Sequence, residues 1–241
     1  MEKDLLKKVR EELLKNAEEK YRVGSKKYFK EEIIPLGVRS GTVRNIANLF
    51  HKEYLKDKNK DEILNVAEYF LKNGQFFEEK LVGLVWIRKI LKKLEKEDLK
   101  ILESFLYKYV ENWAHCDDLC TGILGKTLVK YIEEIDIANK WVKDPNRWVR
   151  RAAYVALIPV TKNENAIEYL PFMLNVSKNI FEEKDDLVRK GSGWLLREMS
   201  KYFPNEVFKF IIENKKLLPR ITLRNGIELF DKEKQKLALE K

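Results

Sequence analysis

The sequence predicts an all-α protein, and three observations support this fold class. Apolar residues recur at spacings of three and four along most of the 241-residue chain, with Lys and Glu between them. Few stretches alternate strictly between apolar and polar residues, as half-buried strands do. Only 10 Gly and 6 Pro are available for the turns of a many-stranded sandwich or barrel. The chain is therefore expected to form helices joined by short polar breaks.

The helical period is clearest in three segments, at residues 5–14, 81–94 and 101–110. Each places Leu, Ile, Val or aromatic side chains on one face of a helix, where they can pack against a neighbouring helix. Short polar breaks separate the predicted helices at 56–59, 72–74 and 143–146.

Two of the predicted helix starts share a pattern, one at residues 144–153 and the other about 39 residues later at 185–194. In both, an Asp or Asn cap precedes an apolar residue, two basic residues and two small residues. A period of ~40 residues with two helices per unit is typical of HEAT-type repeats, which stack into a curved solenoid with a concave face. The sequence shows no domain boundary, so residues 1–241 are predicted to form a single HEAT-like repeat domain of five or six helical pairs.

The balance of charge favours a polyanionic partner, because 48 Lys and Arg oppose 39 Asp and Glu and the net charge is +9. No apolar run approaches the ~18 residues of a membrane span, and the charged N-terminus lacks the apolar core of a signal peptide. The two cysteines, Cys116 and Cys120, lie four residues apart, which fits a reduced protein better than a disulfide scaffold. We expect a cytoplasmic monomer.

Residues 112–120 form the first candidate site. Trp113 and Asp117 share a face if this stretch is helical. If it is instead the loop before a helix, Asp117 or Asp118 caps that helix and Trp113 belongs to the core.

A metal site or a nucleophilic cysteine in this stretch has weaker support. His115, Cys116 and Cys120 resemble a ligand cluster only by proximity, and no second cluster accompanies them. A cysteine nucleophile would need the only other histidine, His51, to meet it by folding. No metal and no cofactor are expected.

Basic and aromatic residues form the remaining candidate sites. Arg150 and Arg151, in the first turn of a predicted helix, fit either phosphate groups or salt bridges between repeats. Gly191 and Gly193 precede Trp194 and cost roughly 1 kcal/mol each in a helix, which suggests the close approach of a neighbouring helix or a partner. Other basic residues recur along the chain, where a solenoid would align them along its concave face to follow phosphates. They are Lys26, Lys27, Arg39, Arg44, Arg189, Lys190, Arg220 and Arg224.

Common enzyme signatures are missing from the sequence. It has no glycine-rich phosphate loop, no paired-carboxylate motif and no Ser-His-Asp signature. An enzyme that needs only one carboxylate and a few aromatic side chains remains compatible with the sequence.

In combination, several short motifs from Tyr28 to Phe230 resemble the AlkD family of HEAT-like-repeat alkylpurine DNA glycosylases. The first motif is Tyr28 followed by residues 34–38, and the second is Trp113 with Asp117 and then residues 124–125. The third and fourth motifs are residues 148–153 and residues 193–198. The resemblance implies a monofunctional enzyme that hydrolyses the N-glycosidic bond of cationic N3- or N7-alkylated purines in duplex DNA, as a step of base excision repair.

The resemblance also implies roles for individual residues. Asp117 matches the catalytic carboxylate, Trp113 and Trp194 match the aromatic residues that contact the damaged nucleotide, and Arg151 matches the basic residue that completes the site. Tyr28 matches the N-terminal aromatic residue on the same face, and Trp148 is a further candidate for DNA binding. The family often has an acidic residue directly after the first Trp, whereas this chain has Ala114. Members of the family need not flip the base into a deep pocket, so none is required here.

A non-catalytic HEAT-repeat protein that binds DNA or a protein partner is the alternative function. The combination of Trp113, Asp117, Arg151 and Trp194 separates the two hypotheses, because a scaffold would not need all four residues together.

Overall fold

The protein is all-helical. In the computed structural model residues 1–240 are described, and no β-strand occurs among them, which confirms the predicted fold class. Within the same residues no helix is long and apolar enough to cross a membrane. The chain packs as two compact units, Met1–Leu119 and Cys120–Lys241. That the whole chain forms one repeat domain stays a prediction.

The first unit contains helices of 7 to 14 residues. A π-helical turn, His51–Leu55, and a 3₁₀ turn, Leu91–Lys93, interrupt the series. The helices are α1 (Glu2–Lys15), α2 (Glu19–Lys26), α3 (Ser40–Phe50), α4 (Lys60–Asn73), α5 (Phe77–Lys89), α6 (Asp98–Tyr109) and α7 (Trp113–Leu119).

The core of the first unit lies between α3, α4 and α5. Trp86 on α5 is fully buried, and its ring meets Phe70 of α4 edge-on with centroids 4.6 Å apart. The Trp86 indole N–H donates to the carbonyl of Ala47 on α3 at 2.8 Å, so this buried polar group is satisfied. The segments with a helical period at 5–14 and 101–110 correspond to α1 and α6. The segment at 81–94 corresponds to α5 and the following 3₁₀ turn.

The second unit begins with a π-helical turn, Cys120–Leu124, and has 3₁₀ turns at Ile132–Glu134 and Ile158–Lys162. Its helices are α8 (Gly125–Lys130), α9 (Ile137–Trp141), α10 (Arg147–Val155), α11 (Ala166–Lys178), α12 (Asp186–Ser200), α13 (Pro204–Asn214), α14 (Arg220–Gly226) and α15 (Lys232–Leu239).

Close helix packing in the second unit depends on Gly193 of α12. A Cβ atom at this position would lie 2.7 Å from the Cβ of Asn225 and 2.9 Å from the carbonyl oxygen of Thr222, both on α14. The Thr222 hydroxyl in turn donates to the carbonyl of Arg189 at 2.9 Å. The expectation that the glycines before Trp194 allow a neighbouring helix to approach is therefore confirmed.

The two similar helix starts are also confirmed. Asn146 accepts a hydrogen bond from the backbone N–H of Trp148 at 2.9 Å and begins α10. Asp185 accepts from the N–H groups of Leu187 and Val188 and begins α12. In both, the short polar side chain satisfies N–H groups that the first helical turn leaves without partners.

Candidate functional site

Trp113 and Asp117 lie one turn apart on α7, and each side chain is half-buried. The residue that caps α7 is Asn112, whose side-chain oxygen accepts from the N–H of His115 at 2.9 Å. The alternative expectation, that Asp117 or Asp118 caps a helix here, is wrong, because α7 starts before both residues. The helical spacing therefore places the indole and the carboxylate on one face.

The ring of Trp113 is held by the segment that precedes α3. Its indole N–H donates to the carbonyl of Tyr28 at 3.2 Å, and the ring of Phe29 stacks on it with centroids 5.1 Å apart. Tyr28 itself is 78% exposed. The sequence analysis identified Tyr28 and Trp113 but missed Phe29, because no local pattern distinguishes it from other apolar residues.

His115 is buried behind this face and is neutral. Its Nε2–H donates to the carbonyl of Phe77 at 3.0 Å, and its Nδ1 accepts from the amide of Asn112 at 3.0 Å. The imidazole also stacks on the Phe77 ring at 4.3 Å. Burial lowers the pKa of His115 to about 3 and outweighs the opposing effect of the hydrogen bond to the Phe77 carbonyl, while the charge of Lys80 adds a smaller lowering. His115 is therefore no proton donor near neutral pH.

Asp118 belongs to a charge cluster with two arginines. Arg88 donates to its Oδ1 at 2.6 Å, and a nitrogen of Arg44 lies 3.9 Å from the same oxygen. The other carboxylate oxygen, Oδ2, is buried and has no hydrogen-bond partner among residues 1–240. Arg88 was not a candidate in the sequence analysis.

A cavity of about 300 Å³ opens beside these groups, and Trp113, Ala114, His115 and Asp118 of α7 contribute to its wall. Glu78 of α5 also lines the cavity. Its buried carboxylate accepts from the N–H groups of residues 36, 37 and 38, at 2.8, 2.9 and 3.1 Å. Gly37 has a φ of 92°, which favours glycine, and the three hydrogen bonds to Glu78 join this loop to α5.

In the second unit, two arginines in the first turn of α10 form ion pairs with carboxylates. Arg147 pairs with Asp185 at 3.0 Å and lies over the ring of Trp148 at 4.7 Å. Arg150 pairs with Glu183 at 2.7 Å. Burial raises the pKa of the Glu183 carboxyl, but the hydrogen bond from Arg150 and those from two backbone N–H groups outweigh it and lower the pKa below its usual value.

Arg150 makes contacts of the kind that the salt-bridge interpretation of the basic cluster expects. Arg150 also donates to the carbonyls of residues 144 and 145, at 2.9 Å each, so one salt bridge and two backbone hydrogen bonds within the unit engage this side chain. Trp148 is only 7% exposed. That Arg150 and Trp148 bind DNA stays a prediction. Arg150 would have to do so from its present contacts, and Trp148 from its buried position.

Arg151 belongs to the contact between α10 and α12, and Trp194 lies on α12. Arg151 is 5% exposed, and its guanidinium donates to the carbonyl of Leu187. Gly191 makes room for it, because a Cβ there would lie 3.3 Å from the Cγ of Arg151. Trp194 is half-buried, and its indole N–H donates to Glu198 at 3.2 Å.

The other predicted DNA-binding residues differ in what they contact. Arg39 pairs with Glu18 at 2.9 Å, Arg189 lies 3.6 Å from Asp186, and Arg220 donates to the carbonyl of Leu239 at 3.1 Å. Lys190 and Arg224 are exposed, and neither side chain forms an ion pair with any residue in 1–240.

The family model for DNA alkylation repair enzymes matches residues 9–230. The chain belongs to this family. No curated protein matches the sequence. Among solved structures, a predicted DNA alkylation repair enzyme from Enterococcus faecalis superposes with a TM-score of 0.77 at 16% identity, covering 90% of this chain and 98% of the other.

A crystal structure of AlkD2 from Streptococcus mutans superposes with a TM-score of 0.60 at 23% identity, over 79% of this chain and 90% of AlkD2. At these identities the likeness shows a shared fold. The DNA alkylation repair family therefore agrees with the resemblance drawn from the short motifs, and its fold is the all-helical architecture described above.

Proposed function

We propose that this DNA alkylation repair family member is a monofunctional DNA glycosylase that hydrolyses the N-glycosidic bond of cationic N3- and N7-alkylated purines in duplex DNA. The observation that carries the proposal is the pair on α7: a half-buried carboxylate, Asp117, one helical turn from a half-buried indole, Trp113. Arg151 and Trp194 are proposed to complete the site.

The chemistry needs little from the protein, because an N3- or N7-alkylated purine already carries a positive charge and is a good leaving group. Its departure leaves an oxocarbenium-like sugar. A fixed carboxylate such as that of Asp117 stabilises this developing charge and can orient the attacking water. Because α7 is a rigid element and Asn112 caps it, Asp117 needs little rearrangement during the reaction.

The aromatic and basic residues have separate tasks in this mechanism. The indole faces of Trp113 and Trp194 attract the cationic nucleotide, at about 0.5–2 kcal/mol for a cation over a ring. Phe29 and Glu198 hold these two rings in place. Arg151 supplies a charge that remains at all physiological pH values and fits phosphate oxygens.

The neutral His115 narrows the expected substrate range. A neutral lesion such as hypoxanthine needs a proton to leave as a good leaving group, and the histidine nearest Asp117 in sequence has a pKa of about 3. Selectivity then comes from the charge of the lesion itself. No lysine is assigned as a Schiff-base nucleophile, so no β-lyase step is expected. The proposed enzyme is a cytoplasmic monomer that uses neither metal nor cofactor.

The test is release of 7-methylguanine and 3-methyladenine from methylated duplex DNA under single-turnover conditions. Asp117→Asn keeps the shape of the side chain and removes its charge, so excision should fall by roughly 10²–10³-fold, the range for loss of one preorganised electrostatic group. Binding to an undamaged duplex should change little.

Asp231→Asn is the matched control, because it makes the same change at an exposed carboxylate that caps α15 in the second unit. Its excision rate should equal that of the wild type. Near-wild-type excision by Asp117→Asn would exclude Asp117 as the catalytic carboxylate. If the wild type bound duplex DNA tightly but released neither base, the non-catalytic binding protein would be the better description.

A further inference from the structure

A cluster of positive charge lies where α3 and α5 end side by side. Glu78, near the start of α5, accepts hydrogen bonds from the loop that precedes α3. Further along both helices, the Trp86 indole N–H of α5 donates to the Ala47 carbonyl of α3 at 2.8 Å. The two helices therefore run in the same direction, and His51, which follows the last residue of α3, comes close to Lys89, the last residue of α5.

The lysines of this cluster have no acidic partners. Lys89 and Lys93 are exposed, and neither side chain forms an ion pair with any residue in 1–240. Burial lowers the pKa of His51, and the charges of Lys89 and Lys93 lower it further, so both ammonium groups act on the imidazole. Like charges that no carboxylate neutralises repel one another, and a bound anion would remove this repulsion.

The cluster continues a face of α3 that begins with Arg44. Arg44 is half-exposed and lines the cavity beside α7. His51 follows it by seven residues, or two helical turns, so the two side chains share a face. At 1.5 Å of rise per residue they are roughly 10 Å apart along the helix axis. A DNA strand presents one phosphate for about every 3.4 Å of its own axis, so a single backbone can span this distance.

We propose that Lys89 and Lys93, beside His51, bind the phosphate backbone of duplex DNA two helical turns from Arg44. An ammonium group binds phosphate as a compact charge on a flexible stem, which suits two exposed lysines without fixed partners. Contacts of this kind add affinity and fix the register of the duplex without reading its sequence. The inference rests on the proposed function for the identity of the polyanion, because DNA is the substrate proposed there.

His51 is a built-in reporter for the test, because the only other histidine, His115, has a pKa of about 3 and stays neutral. The His51 ring resonances are followed by NMR from pH 8 to pH 5 at low ionic strength, in the free full-length protein and with a saturating undamaged duplex. A phosphate bound at Lys89 and Lys93 would offset their charges. The pKa of His51 should therefore rise by roughly 0.5 or more when DNA binds.

A double variant shows whether the two lysines cause the effect. Lys89→Gln/Lys93→Gln removes both charges and should raise the pKa of His51 in the free protein, leaving a smaller rise on DNA binding. It should also weaken binding to the undamaged duplex and reduce the log–log salt slope by roughly two, one for each lost phosphate contact.

Lys100→Gln/Lys108→Gln is the matched control, because it removes two exposed lysines from α6, which packs against α4 in the same unit. The control has the same net charge as the first variant but should keep the salt slope and the His51 pKa of the wild type. All three proteins should have the same melting temperature, because the four lysines are exposed.

Two results would overturn the proposal. One is a His51 pKa that duplex DNA leaves unchanged, or raises equally in the wild type and in Lys89→Gln/Lys93→Gln. The other is a salt slope that this variant shares with the control. Both measurements use undamaged DNA and are independent of excision. A protein that binds duplex DNA through the cluster but releases neither methylated base would refute the proposed glycosylase and retain this surface, whereas excision with an unchanged His51 pKa would do the reverse.

Discussion

The buried histidine on α7 makes the stability of the protein depend on pH in a range where few other side chains titrate. His115 has an ordinary pKa of 6.5 when unfolded and about 3 when folded. Because the folded state resists protonation, the unfolded state binds more protons below pH 6.5, and stability is lost as the pH falls. Between pH 8 and pH 5, the loss attributable to His115 is about 2 kcal/mol, from 1.36 kcal/mol for each pH unit below 6.5.

The effect can be measured at two levels. In an NMR titration from pH 8 to pH 5, the His115 ring resonances should not move, because the imidazole stays neutral. In urea denaturation over the same range, the wild type should lose stability with falling pH, and His115→Gln should lose about 2 kcal/mol less.

His51, the only other histidine, is the control. Burial and the charges of Lys89 and Lys93 lower its pKa too, but the side chain is only half-buried. His51→Gln should therefore keep most of the pH dependence of the wild type. A His115 resonance that titrates near pH 6.5, or identical pH slopes for the wild type and His115→Gln, would refute the assignment of a neutral, buried imidazole and reopen His115 as a proton donor.

Three further predictions concern packing, DNA binding and substrate choice. Gly193→Ala forces a Cβ to within 2.7 Å of the Asn225 Cβ, so overpacking of about 1–3 kcal/mol should exceed the helix-propensity gain and lower the urea midpoint. Gly24→Ala, which meets nothing within 4 Å, should not lower it, and equal midpoints for the two variants would contradict the close approach. Replacing Lys190 and Arg224 together by Ala should flatten the log–log salt dependence of duplex binding by roughly one unit per lost phosphate contact, at unchanged melting temperature. An unchanged slope would place the DNA elsewhere. In a panel of duplexes at neutral pH, 7-methylguanine and 3-methyladenine should be excised much faster than hypoxanthine or uracil; comparable rates on hypoxanthine and 7-methylguanine would contradict a mechanism without a general acid.

The helices and their starts could be predicted from the sequence because the interactions that form them are local. Asn146 and Asp185 accept hydrogen bonds from N–H groups only two or three residues further on. The same holds for Trp113 and Asp117, whose common face follows from a spacing of four residues on a helix. Gly193 marked a close approach because its cost within a helix has to be offset by packing.

The cavity could not be predicted in this way, because its walls come from contacts between residues far apart in the chain. The Trp113 indole donates a hydrogen bond to the Tyr28 carbonyl, 85 residues away in the sequence. Glu78 accepts hydrogen bonds from the loop at residues 36–38, about 40 residues away. Nothing in the local pattern around Glu78 distinguishes a buried carboxylate that accepts three N–H groups from an ordinary charge on a helix surface.

The sequence by itself determined the all-helical fold class and the capped helix starts, and through its resemblance to a known family it supplied the set of candidate residues. Only the tertiary structure decided which partners the charged groups have. Arg150 pairs with Glu183, and Arg88 pairs with one carboxylate oxygen of Asp118 while the other oxygen has no hydrogen-bond partner among residues 1–240. The physical reason is that periodicity and capping depend on neighbours within one helical turn, whereas the partner of a charged side chain depends on which helix faces meet when the core closes.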